Sequence, residues 1–138
     1  MANEVKTPTL EDAIASFNRG DYFGAAERFE VIGRDTEPEL KTMIDAFNRI
    51  AAALHLRFER GGRQAAINLL SQAMLTLDDL RPEHAGLDIE RLWNELQAYA
   101  DEVRATPRTE HTGLKHRTRL FLEKRRAPKI NPKTNRKD

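Results

Sequence analysis

Cysteine is absent from this chain of 138 residues, and several other features of specialised proteins are absent with it. Without thiols the chain can form no disulfide framework and no thiolate-bound metal site. No apolar run approaches the ~20 residues that a membrane-spanning helix needs. The first residues lack a basic region followed by an apolar run, so we expect no signal peptide. These absences favour a cytoplasmic protein that makes no contact with a membrane.

Sequence motifs of the common enzyme classes are also lacking. There is no glycine-rich phosphate-binding loop of the G-x-G-x-x-G or G-x-x-x-x-G-K-[ST] type, and no H-E-x-x-H zinc motif. Ser16 and Ser71 stand in no G-x-S-x-G context. His84, His111 and His116 fall in a predicted loop and in the C-terminal part of the chain, with no spacing typical of ligands. We therefore predict a protein that is not an enzyme and carries no cofactor.

The charges that are present divide the chain into two parts. Residues 1–103 hold 19 acidic and 11 basic side chains, a net charge of −8, whereas residues 104–138 hold 3 acidic and 12 basic ones, a net charge of +9. The total pI conceals this polarity. We expect residues 1–8 to be a flexible leader. Residues 107–138 are expected to be a basic, largely disordered tail with a short helix near 114–126.

Between these ends, apolar residues recur at the three- and four-residue spacing of amphipathic helices. Thr9 and Asp12 form a capping-box pattern at the start of the first helix, and Gly20 follows its last apolar residue. Asp21 suits the N-cap of the second helix, which Gly33 is expected to end. The five helices are predicted at about residues 10–19, 22–33, 36–60, 63–79 and 89–105.

These helices predict an all-α domain over residues 9–106, built as a compact bundle of about five antiparallel helices. The phrase FNRGDYFGAA at residue 17 returns loosely as FERGGRQAA at residue 58. An offset of 41 residues is typical of helical-hairpin repeats of the TPR kind. Two units are too few for a solenoid, so we expect two antiparallel hairpins closed by the fifth helix. The residues RPEHAGLD between the last two helices are predicted to form a loop.

The pattern FN-x-G-x-YF-x-A from Phe17, followed by a glutamate and a long helix holding IAAALH, resembles the domain of unknown function 309 family. That family consists of small all-helical bacterial and archaeal proteins, and the resemblance covers about residues 10–80. It implies the same helical fold. The family pattern usually carries glutamate, histidine and tryptophan where this chain has Gly24, Ala26 and Gly33. A site built on those positions would therefore have lost members here.

Glu27, Glu30 and His55 match polar positions of the same pattern and form the candidate chemical group. Carboxylates three residues apart share a helix face, and a histidine from the next helix could meet them. Such a group suits a metal-dependent or acid–base enzyme, which is the alternative function. The competing interpretation is a structural ion pair between Glu30 and Arg34 at i+4. Because structural networks often imitate sites, we favour the ion pair and predict no metal.

The basic tail is the main functional signal outside the fold. Its segment HRTRLFLEKRR interleaves Leu120, Phe121 and Leu122 with bases, which suits phosphate neutralisation on nucleic acid, ribosomal RNA included. It also suits docking to an acidic protein surface, which includes the acidic residues 1–103 of this chain. A tail that only solubilises the chain and a self-associating bundle are further alternatives. We predict a non-enzymatic interaction or accessory protein. Its contact residues for nucleic acid or a protein partner are expected to be Lys115, Arg117, Arg119, Lys124, Arg125, Arg126 and Lys129.

Overall fold

A computed structural model of the chain describes residues 7–60, 62–105 and 114–134, with the side chains of residues 114–116 left aside. The described part holds six helices packed antiparallel and one small hairpin, so the predicted all-α class is confirmed. None of its helices is long and apolar enough to cross a membrane. The helices are α1 (Leu10–Asn18), α2 (Tyr22–Arg34), α3 (Pro38–Arg60), α4 (Gln64–Asp78), α5 (Ile89–Ala105) and α6 (Leu114–Arg125).

The joint between α1 and α2 follows from capping residues. Thr9 and Asp12 form the predicted capping box at the start of α1. At the other end, the Gly20 N–H donates to the Phe17 carbonyl and the Asp21 N–H to the Ser16 carbonyl, which is the Schellman pattern. This pattern requires a left-handed residue, and Gly20 has φ +88°. The turn therefore needs glycine for its backbone, as the sequence predicted.

The long helix α3 lies against both α2 and α4 and forms the middle of the body. Its apolar stripe, which includes Met43, Phe47, Ile50 and Leu54, is fully buried. Phe29 of α2 meets Phe47 with ring centroids 5.6 Å apart. Each side chain of this size contributes roughly 1.5–3 kcal/mol when removed from water. Much of the stability of the body therefore comes from this stripe.

A short hairpin stands between α4 and α5, where the sequence predicted only a loop. Strand β1 (Glu83–His84) pairs antiparallel with strand β2 (Leu87–Asp88). Ala85 and Gly86 between them have φ 51° and 77°, positive values such as a type I′ turn needs at both central positions. The sequence signal for this turn is weak, because Ala85 stands where asparagine, aspartate or glycine is usual.

The C-terminal segment, residues 126–134, packs on the body, which differs from the expected disordered tail. Ala127 and Ile130 are buried in the common core. The segment also runs beside β2, where the Asp88 N–H donates to the Asn131 carbonyl at 2.8 Å. Composition suggested disorder because the segment has few apolar residues, but a folded body supplies partners for its backbone. Residues 107–113 and 135–138 of the predicted tail lie outside the described residues.

Asn18, at the end of α1, binds the same segment through its side chain. Its side-chain amide donates to the Ile130 carbonyl at 2.8 Å and accepts from the Ile130 N–H at 2.9 Å. The two bonds imitate a pair of strand hydrogen bonds with a single side chain. The body and the C-terminal segment are therefore one structural unit over the described residues.

Replacing Gly20 with alanine should destabilise the protein, because a left-handed conformation costs a residue with a Cβ roughly 1–2 kcal/mol. The new Cβ would also lie 3.0 Å from Cε of Lys124. Gly33→Ala is the matched control: Gly33 lies inside α2, and a Cβ there meets only ordinary contacts at 3.5 Å. We expect the control to gain up to about 1 kcal/mol. Urea unfolding measures both, and equal effects would contradict the assigned turn.

Candidate interaction surface on the C-terminal helix

Helix α6 rests on the body through one of its faces. Glu123 and Lys124 follow Leu120 by three and four residues, so these three side chains lie along one side of the helix, and Ala127 follows just after its end. Glu123 and Ala127 are buried, and Leu120 and Lys124 are half-buried. Glu123 is unusual in this set because carboxylates are almost never fully buried without a partner. Its partners therefore decide how α6 is placed.

Glu123 is held by a buried arginine and a buried tyrosine. Arg57 of α3 donates to it twice, from Nε to Oε2 and from Nη2 to Oε1, each at 2.9 Å. Tyr99 of α5 donates its hydroxyl to Oε2 at 2.7 Å. The side chains of Arg57 and Glu123 are only 5% and 2% exposed. This parallel, two-bond geometry is the strong form of the arginine–carboxylate pair.

The pKa values in this cluster follow from its burial and its charges. The hydrogen bond to Glu123 raises the pKa of Arg57, and this effect exceeds the opposing one of burial. Burial raises the pKa of the Tyr99 hydroxyl far above its usual range, and the charge of Glu123 adds to the rise. Burial alone raises the pKa of Tyr22, the neighbouring tyrosine, to about 12. Both tyrosines are therefore neutral phenols near neutral pH.

Beside this cluster the rings of Phe17, Tyr22 and Phe58 form an aromatic wall, and Lys124 packs against it. Tyr22 stacks on Phe58 with ring centroids 5.9 Å apart and meets Phe17 edge-on at 5.3 Å. The ammonium of Lys124 lies 5.5 Å from the Tyr22 centroid and 5.9 Å from that of Phe58, both within cation–π range. The Tyr22 hydroxyl is buried and has no hydrogen-bond partner among the described residues. Lys124, a predicted contact residue, thus lies over this wall.

Two more of the predicted contact residues also bind the body. Arg126 donates from Nε and Nη2 to Glu102 at 3.2 and 2.9 Å. The Lys129 ammonium donates to the Asn18 carbonyl at 2.7 Å. Part of the basic charge of the tail is therefore satisfied within the protein. Lys115 lies in α6, and its side chain falls outside the described part.

The remaining predicted bases lie on the solvent side of α6. Arg117, Arg119 and Arg125 are exposed, and among the described residues none of them takes part in an ion pair with a carboxylate. Phe121 and Leu122 stand between them, 60% and 46% exposed. Arg125 lies 5.9 Å from the Phe121 ring centroid. These five residues, Arg117, Arg119, Phe121, Leu122 and Arg125, form what we call the exposed surface of α6.

The candidate group of Glu27, Glu30 and His55 is not assembled. Glu27 and Glu30 are exposed, and Glu30 meets Arg34 at 3.4 Å as the structural interpretation predicted. His55 packs its ring against Phe23, with centroids 5.3 Å apart. Over residues 7–60, 62–105 and 114–134, no three histidine or acidic side chains are grouped so as to hold a metal ion.

Sequence reasoning missed the buried cluster, although two signals pointed towards it. Glu123 is the only acid between residues 111 and 137, in a stretch rich in bases. Arg57 lies three residues after Leu54 and beside Phe58, within the apolar stripe of α3. Each is a charge at a core position of a helical pattern. Neither residue indicates by itself that the other is its partner, because 66 positions separate them.

Comparisons with known proteins relate the chain to one relative of unstated function. It is 32% identical over 98 residues to an "Uncharacterized protein" of Aquifex aeolicus (strain VF5). The match covers 70% of this chain but only 28% of that protein, so this chain spans a minor part of its length. No family model matches the chain, and no solved structure matches it. The resemblance to the domain of unknown function 309 family therefore stays a prediction.

Removing the buried carboxylate by Glu123→Ala should lower the free energy of unfolding by about 3–5 kcal/mol, because the buried charge of Arg57 loses its two bonds to the carboxylate that compensates for it. The double variant Arg57→Met/Glu123→Leu removes both charges and should lose much less. Glu30→Ala, which breaks the exposed pair with Arg34, is the surface control and should change stability by less than about 1 kcal/mol. Urea unfolding of the three variants tests this. Equal losses in the single and double variants would contradict the assigned pairing.

The two tyrosines should remain protonated well beyond their usual range. Tyrosines in the unfolded chain ionise near 10.0, whereas burial raises the pKa of Tyr22 to about 12 and that of Tyr99 further. Because both folded pKa values are raised, the stabilisation by these phenols is complete below pH 10 and is lost as the pH rises towards 12. A spectroscopic titration of phenolate in folded and urea-unfolded protein measures the difference. A tyrosine of the folded protein that ionises near 10 would contradict the burial.

Proposed function

We propose that this protein is a non-enzymatic accessory protein that binds nucleic acid through the exposed surface of α6. The observation that carries the proposal is a set of three exposed arginines, Arg117, Arg119 and Arg125, on a helix anchored by Glu123; within the part of the chain that the structure describes, none of them pairs with a carboxylate. Guanidinium groups pair with phosphates in a two-bond geometry and release condensed counterions on binding. Anchoring of the helix supports the proposal further, because less conformational entropy is lost when a preformed surface binds.

The acidic charge of the body determines the side from which a nucleic acid can approach α6. Residues 1–103 carry a net charge of −8 and should repel phosphates. Contact residues that face the body, Lys124, Arg126 and Lys129, are engaged in internal interactions, as described above. A polyanion should therefore approach α6 from the solvent side. Of the seven contact residues predicted from the sequence, three are thereby engaged by the body, and the three exposed arginines remain among those whose side chains the structure describes.

An acidic protein surface is the second candidate partner. Phe121 and Leu122 favour it, because an aromatic ring beside arginine is typical of the central contacts of protein interfaces. The alternative of an enzyme that uses Glu27, Glu30 and His55 has no comparable support, since Glu30 is paired with Arg34 and His55 packs on Phe23. We also propose that the chain belongs to the domain of unknown function 309 family and that it acts in the cytoplasm.

Replacing the three exposed arginines with glutamine should abolish most of the salt-dependent binding. Each phosphate contact in a single strand contributes about 0.7 to the slope of log affinity against log salt. The variant Arg117→Gln/Arg119→Gln/Arg125→Gln should therefore lower the magnitude of that slope by about 2. Fluorescence anisotropy with a labelled mixed-sequence RNA strand, at several salt concentrations, measures both the affinity and the slope.

A charge-matched control comes from the body. Arg34, Arg49 and Arg91 are exposed and lie on other helices, so their replacement by glutamine changes the net charge equally. If affinity depends only on total charge, the two triple variants will behave alike and the proposed surface is wrong. If neither RNA nor DNA binds the unaltered protein at low salt, nucleic acid is excluded and the protein-partner candidate takes its place.

A further inference from the structure

Phe121 stands in line with two arginines on the solvent side of α6. Arg117, Phe121 and Arg125 are spaced by four residues, so each lies about 6 Å further along the helix axis than the last. The Phe121 ring is 60% exposed, and Arg125 lies 5.9 Å from its centroid. The surface thus offers a flat apolar ring between two cationic groups, one towards each end of the helix.

We propose that the exposed surface of α6 takes single-stranded nucleic acid, with Phe121 stacking on an unpaired base; this inference rests on the function proposed above. An aromatic ring with cations on either side suits a strand whose bases are free and whose phosphates follow one another along it. The base covers the ring, and Arg117 and Arg125 meet phosphates on both sides of that nucleotide. Stacking needs only the flat face of a base, so little sequence preference is expected.

A duplex fits this surface less well. Its bases are already stacked on each other, and the outside of the helix presents phosphates and sugars. Phe121 and Leu122 would then be placed against anions, where burying their apolar surface brings no hydrophobic gain. A duplex also carries two charged strands, and the wider ligand would bring phosphates towards the acidic body, which holds Glu102 close to Arg126. A single strand can lie along α6 alone.

The test compares one labelled RNA strand of mixed sequence with the same strand annealed to its complement. The full-length protein should bind the single strand at least tenfold more tightly than the duplex at the same salt concentration. Phe121→Ala should weaken single-strand binding by roughly tenfold, as loss of one stacked base implies, while the salt slope stays unchanged. Phe23→Ala is the matched control, because Phe23 is similarly exposed, at 56%, but belongs to α2 and packs on His55, so its loss should leave binding unchanged.

The variant Phe121→Trp supplies a direct readout of stacking. The chain has one tryptophan, Trp93, which is half-buried and donates to the Met74 carbonyl. Added single strand should therefore quench the fluorescence of Phe121→Trp more than that of the unaltered protein. Absence of that extra quenching, or full affinity in Phe121→Ala, would overturn the stacking proposal. Equal binding of strand and duplex would overturn the single-strand proposal.

The same experiments distinguish failure of the stacking proposal from failure of nucleic-acid binding as a whole. If the arginine variant loses binding while Phe121→Ala keeps it, phosphate contact by α6 stands and only the stacking fails. If no nucleic acid binds, both fail together. The folded state of each variant is checked by its helical circular dichroism, and Phe121 is exposed, so its replacement removes few packing contacts.

Discussion

The ion pair between Arg57 and Glu123 is the contact on which the arrangement of the C-terminal part depends. Both charges are withdrawn from water, and the desolvation cost of each is several kcal/mol. The two arginine bonds and the Tyr99 hydroxyl compensate for that cost only in one geometry. A displacement of α6 by even one residue would break both arginine bonds to Glu123. The pair therefore contributes little to net stability compared with an apolar contact of similar size, but it specifies a single register for α6 on the body.

That register divides the basic residues into two groups. The side of α6 that carries Glu123 brings Lys124 over the rings of Tyr22 and Phe58, and it is followed by Arg126 and Lys129, which bind Glu102 and the Asn18 carbonyl. The other side presents arginines around Phe121 and Leu122. Without the fixed register, all of these bases would be equivalent members of a flexible cationic chain. With it, the protein has one anchored cationic and apolar surface on an otherwise acidic body, which is the basis of the proposed function.

The turn between α1 and α2 lies next to the candidate group of Glu27, Glu30 and His55, and helix capping determines which residues fit there. Asp21 caps α2 by accepting from the Gly24 N–H at 3.0 Å, and Arg28 lies 3.9 Å from the same carboxylate. A side chain at position 24 would occupy the space of this carboxylate and of the Arg28 guanidinium. The glycine at that position is therefore tied to the cap, and the nearby Phe23 covers His55. Position 24 is thus tied to the cap, His55 to packing against Phe23 and Glu30 to a surface ion pair with Arg34.

Short-range sequence signals were sufficient to predict the helices and the turns between them. Thr9, Asp12, Gly20 and Asp21 act within four residues of themselves, so their capping roles can be predicted from sequence, and the long apolar stripe of α3 predicts its central position. The β1–β2 hairpin was not predicted, because its turn places Ala85 at a positive φ. The bonds of Asn18 to Ile130 and of Arg57 to Glu123 join residues 112 and 66 positions apart. A charge in a helical pattern does not identify a partner so far away, since many pairings satisfy the same local spacing. The sequence by itself determined the helices and the polarity of charge, whereas only the tertiary structure decided which basic residues remain for a ligand, because that depends on which of them the body binds.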